Sequence, residues 1–71
     1  METGTVRWFG TEHGYGYITP DAGGPDVTVY YDSVIADTDA HRFLHEGQRV
    51  RYDLAEERPR AVAEHVRPLT P

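Results

Sequence analysis

The chain has 71 residues, enough for one small domain with a single modest core and no room for a lidded cleft. It has no cysteine, so neither disulfides nor thiolate metal sites help it fold, and no apolar run approaches the roughly 20 residues of a membrane span. Twelve acids against seven arginines, with no lysine, leave a formal net charge of -5, which weighs against a partner bound mainly through its phosphates.

In chain order the elements read as short strands with turn punctuation. Thr5 to Phe9 is rich in β-branched and aromatic residues and stops at Gly10. Gly14 to Thr19 is the second strand, ending in Pro20-Asp21-Ala22-Gly23-Gly24-Pro25, which combines fixed and permissive backbone angles. Asp26 to Tyr31 is the third. Asp32 to Gly47 is a longer connection, with a short helical turn expected around Ala40 to Leu44 and Asp39 as its N-cap. Arg49 to Leu54 alternates with period two and is the fourth strand; Ala61 to Arg67, closed by Pro68, is the fifth. In that fifth strand Ala63 and Val66 are the core candidates, and their spacing of three implies a bulge. Five short strands without a repeat or linker predict one small barrel over 1–71, because closure removes exposed strand edges. With no signal peptide ahead of Thr3, the expected setting is cytoplasmic.

Charge is unevenly placed. Residues 1–41 carry one arginine, Arg7, and seven acids, whereas residues 42–71 carry six arginines and five acids. No run of like charge is long enough to suggest a disordered tail.

The second and third strands carry the functional signal. Side chains alternate across a strand, so Ile18, Val27 and Val29 facing the core would turn Tyr15, Tyr17, Thr28 and Tyr30 outward. Trp8 lies near this patch on the first strand. Strict alternation puts it on the face of Val6, so its exposure requires a bulge. A clustered exposed aromatic set calls for an explanation. Stacking of unpaired bases is one, at about 1–3 kcal/mol per base, and it does not depend on phosphate contacts. The glycines flanking Tyr15 would let a ligand approach closely. Half-buried sheet tyrosines that bind nothing, and docking of a proline-rich peptide on an aromatic groove, are the other readings.

Other signals are weak. Gly14-x-Gly16 lacks the third glycine and the βαβ context of a dinucleotide site. His41 and His45 have no convincing third metal ligand, Glu56-Glu57 reads as a turn, and Ser33 has no triad context, so no cofactor, metal or enzymatic activity is expected.

Gly4-Thr5-Val6-Arg7-Trp8-Phe9, Gly14-Tyr15-Gly16-Tyr17-Ile18, Gly23-Gly24-Pro25-Asp26-Val27-x-Val29, Glu46 to Val50 and Ala63 to Leu69 together resemble the bacterial cold-shock proteins. The resemblance covers nearly the whole chain. It implies an all-β, five-stranded antiparallel OB-fold barrel that binds single-stranded DNA or RNA through motifs on strands two and three, in some members as an RNA chaperone or antiterminator.

Position by position, the resemblance matches Trp8, Tyr15 and Tyr17 to stacking aromatics and Tyr31 to an aromatic position; Phe9, beside Trp8 on the first strand, is a further candidate. It puts Arg7 and His13 where the family usually has lysines, and Asp26 at a polar position that often contacts a base. Thr28 stands where a phenylalanine is usual, and Tyr30 replaces a histidine. The family's loop aromatic falls on His41 or Phe43, and one of Arg58 and Arg60 is the candidate for a basic contact before the last strand. Losing one stack at position 28 implies weaker or differently biased binding, so Thr28→Phe is expected to tighten binding to oligo-dT. A His13 contact to phosphate would strengthen binding as pH falls, since histidine carries charge mainly below about pH 6.5. A barrel that has drifted to protein interaction, or one whose face is buried in a homo-oligomer, stays open beside this reading; a monomer is expected.

Overall fold

A computed structural model of the chain describes residues 1–36, 42–56 and 61–69. Five strands form a closed barrel: β1 (Glu2–Gly10), β2 (Tyr15–Pro20), β3 (Val27–Tyr30), β4 (Arg49–Glu56) and β5 (Ala61–Pro68). Their spatial order is β1-β2-β3-β5-β4, with β4 closing back on β1. All five expected strands are present, each within a few residues of its sequence-based bounds.

The expectation of a wholly antiparallel barrel needs one correction. β3 and β5 run parallel, with Thr28 opposite Val62. The reason is parity: an odd number of strands cannot alternate direction all the way round a closed ring, so one seam must be parallel. Just beyond that seam a 3-10 turn at Tyr31–Ser33 leads into a parallel bridge from Val34 to Val66, where the Ile35 N–H donates to the Val66 carbonyl at 2.7 Å.

All five strands contribute to the core. Val6, Ile18, Val27, Val29, Val50, Tyr52, Ala63 and Val66 are buried, joined by Val34 and Leu44 from the long connection. Burial of most of these branched side chains contributes on the order of 1.5–3 kcal/mol each. Tyr52 is the one phenol in this core, and its burial pushes its pKa up. Alternation in β4 ends at Leu54, which is exposed.

Both expected bulges occur. The β1–β2 register shifts between Val6 and Trp8, and the β4–β5 register shifts between Arg51 and Asp53. The second shift inserts an extra residue in β5, where His65 adopts φ 51, so that Ala63 and Val66 both reach the core despite their spacing of three. Of the helical turn expected around Ala40 to Leu44, Ala40, His41 and the expected N-cap Asp39 lie outside the described residues.

One polar network ties the barrel's outside together. The Arg49 guanidinium donates two hydrogen bonds to the Asp21 carboxylate, at 2.7 and 2.6 Å, and a third to Thr5 Oγ1 at 3.0 Å. The Thr3 hydroxyl donates to Asp21 at 2.7 Å. These donors, Arg49 first, hold the Asp21 carboxyl down to about 2.

Candidate nucleic-acid interface

The bulge between Val6 and Trp8 settles the conflict in the sequence pattern. Val6 pairs with Ile18 and points into the core, the extra residue is Arg7, and Trp8 then pairs with Tyr17 on the outer face. Trp8 stacks on Tyr17 with ring centroids 6.0 Å apart and planes at 30°, and meets Tyr15 edge-on at 5.7 Å. Tyr15 also contacts Tyr17 at 6.0 Å and Tyr30 at 6.3 Å. The His13 ring flanks Trp8 and Tyr15 at 6.4 and 6.0 Å. Trp8, His13, Tyr15, Tyr17 and Tyr30 are therefore one continuous aromatic surface.

A second aromatic group joins the end of β1, the 3-10 turn and the connection that leads to β4. The Tyr31 and Phe43 rings are parallel within 4°, at 5.9 Å, and Phe9 meets Phe43 edge-on at 6.4 Å. Phe9 itself is half-buried and packs against the core. Of the two candidates for the loop aromatic, Phe43 joins this group, while His41 lies outside the described residues, as do Arg58 and Arg60.

The glycines beside Tyr15 serve the fold rather than a ligand. A Cβ on Gly16 would sit 2.3 Å from the Trp8 carbonyl oxygen and 2.8 Å from Phe9 Cα, so what approaches closely there is β1. Gly14 has φ 75, which a glycine adopts without steric cost, and its carbonyl accepts the Tyr31 N–H at 2.9 Å.

Two further expectations change. Thr28, expected to face solvent, is only 4% exposed. It stands opposite Tyr17 on the outer side of the sheet, but the larger rings around it cover it: with Tyr15, Tyr17 and Tyr30 it lines a recess of about 260 Å³. Arg7 and Asp26, assigned separate contacts, are joined to each other, Arg7 Nε to Asp26 Oδ2 at 2.7 Å. Their positions on β1 and just before β3 give no sequence signal of this pairing.

Among the described residues no group of three or more His, Cys, Asp or Glu is placed to hold a metal ion, and no helix is long and apolar enough to cross a membrane.

Residues 2–69 match the family described as the 'Cold-shock' DNA-binding domain. The chain belongs to the cold-shock domain family. Cold-shock domains in general bind nucleic acid. The chain is 41% identical over 68 residues to "Cold shock protein ScoF" of Streptomyces coelicolor, covering 96% of this chain and 98% of that protein. It is similar to "Cold shock-like protein CspA" of Bordetella pertussis, 46% identical over 55 residues, 78% of this chain and 79% of that one. It is also similar to "Cold shock-like protein CspD" of Escherichia coli, 41% identical over 54 residues, 76% and 70% of the two chains. Among solved structures, "drosophila Unr CSD456" shares the fold with a TM-score of 0.79 at 17% identity, covering 99% of this chain and 27% of that one.

Proposed function

We propose that the protein binds single-stranded DNA or RNA by stacking unpaired bases on the surface formed by Trp8, Tyr15, Tyr17 and Tyr30, extended by Tyr31 and Phe43. The observation that carries this reading is the continuity of the rings: each of Trp8, Tyr15 and Tyr17 touches the next, and Tyr30 is 46% exposed at the edge. Bases stacked on such a surface contribute about 1–3 kcal/mol each, so three or four of them suffice for useful affinity in an acidic protein. Asp26, Arg7 and His13 border the surface as polar contacts. In a cell, such binding suits an RNA chaperone or a regulator of transcription or translation under stress, acting in the cytoplasm as a monomer.

Trp8, the only tryptophan, reports on this directly. Titration with oligo-dT is expected to quench its fluorescence with saturation. An unchanged Trp8 signal, with no binding by an independent measurement, overturns the reading. The Arg7–Asp26 ion pair supports a second reading, a protein-interaction barrel, because it neutralises one of the few cations beside the face. Saturable binding of a proline-rich peptide in place of oligonucleotide would favour it.

A further inference from the structure

The recess over Thr28 has an unusual floor. Thr28 Oγ1 is buried and has no hydrogen-bond partner. Buried polar atoms are nearly always paired, and leaving one unpaired is unfavourable, so such an atom calls for a reason. Tyr15, Tyr17 and Tyr30 line the recess with Thr28, which stands opposite Val62 across the parallel seam. The recess, about 260 Å³, is smaller than the clefts that enclose whole small-molecule ligands, so its size fits part of a nucleotide at most.

We propose that Thr28 is a specificity-determining residue: one unpaired base inserts its edge into this recess, between the tyrosine rings, and gives Thr28 Oγ1 the hydrogen bond it lacks in the free protein. The proposal rests on the nucleic-acid reading above and adds to it. A stacking surface recognises every base by its π-face, whereas a hydroxyl at the floor recognises the donors and acceptors on a base edge. A threonine hydroxyl both donates and accepts, so it pairs with a carbonyl oxygen or a ring N–H of the inserted base. In the free protein Oγ1 is closed off from solvent, so the rings part to admit the base. Tyr30, nearly half exposed and in ring contact with Tyr15, is the side chain placed to swing aside.

The test couples one variant with two ligands. Thr28→Val keeps the shape and removes the hydroxyl. The ligands are oligo-dT and an oligomer of the same length carrying difluorotoluene, a thymine-shaped ring with little capacity to hydrogen-bond. Thr28→Val is expected to weaken oligo-dT binding about five- to tenfold and to leave the difluorotoluene oligomer within twofold. It is also expected to raise the melting temperature of the free protein by about 4–8 °C, because it removes an unpaired buried hydroxyl. Thr28→Ser restores oligo-dT affinity, and Thr28→Ala set against Thr28→Ser gives the same comparison if the valine variant does not fold. Equal affinity of parent and Thr28→Val for oligo-dT, with Trp8 quenched in both, overturns this proposal and leaves the stacking reading standing. A parent protein whose Trp8 responds to no oligonucleotide, and which binds none, overturns both.

Discussion

The Tyr31 and Phe43 rings lie parallel within 4°, their centroids 5.9 Å apart, so the long connection between β3 and β4 is anchored to the end of β3 by an aromatic stack. Phe9 meets the same ring edge-on from β1. Such pairs contribute about 0.5–1.5 kcal/mol beyond the area they bury. Phe43→Ala is expected to lower stability by about 1–2 kcal/mol in a urea titration and to weaken oligonucleotide binding, while Phe43→Tyr retains both.

Gly16 is expected to be among the least replaceable residues. An added Cβ would meet backbone atoms of Trp8 and Phe9, which cannot swing away as a side chain would. Gly16→Ala is expected to cost about 3 kcal/mol, at the upper end for overpacking, and to disturb the Trp8–Tyr17 pairing. Chemical denaturation followed by Trp8 fluorescence measures both.

The Asp21–Arg49 pair makes stability fall in acid. The Asp21 carboxyl, ordinarily at 3.8, is held at about 2 in the folded protein, chiefly by hydrogen bonds from Arg49 and then from Thr3. The folded state therefore takes up this proton less readily than the unfolded chain does. The contribution is fully present above about pH 4 and is lost as pH falls through about 2. Asp21→Asn is expected to lower the melting temperature at pH 6 and to converge on the parent as pH falls below about 2. Both side chains are solvent-exposed, so the gap at pH 6 narrows in high salt.

Salt dependence separates stacking from phosphate contact. With Arg7 paired to Asp26, binding neutralises only about one to three phosphates, so the logarithm of affinity falls with the logarithm of salt at a slope between about −0.7 and −2. Asp26→Asn releases the Arg7 guanidinium and is expected to steepen the slope by about 0.7. A parent slope steeper than about −4 would show that cations dominate the face.

Much of this architecture was legible in the sequence because alternation and bulges leave marks there. The conflict between Val6 and Trp8 on one nominal face, and the spacing of three between Ala63 and Val66, each required an extra residue, and each bulge is found. Alternation reports the face of a sheet and not what covers it. Alternation turns Thr28 outward, and it stands on the outer face beside the tyrosine rings, yet it is buried. The Arg7–Asp26 and Asp21–Arg49 pairs were not legible, because they join residues distant in the chain at positions that periodicity does not relate. The glycine of Tyr15-Gly16-Tyr17 does mark a close approach, but the approaching group is β1.

The parallel seam between β3 and β5 has a dynamic consequence. Among the described residues one aligned pair, Thr28 and Val62, registers β3 on β5, and Thr28 also lines the recess. Openings of the barrel are therefore expected to begin by parting these two strands, so amides along β3 and β5 should exchange with solvent sooner than those between β1 and β2. A base seated in the recess contacts the seam residue itself and resists that parting. Occupancy of the face should thus appear as slowed hydrogen exchange at Thr28, Val62 and their neighbours, a fingerprint of where the strand lies that needs no change in the average structure.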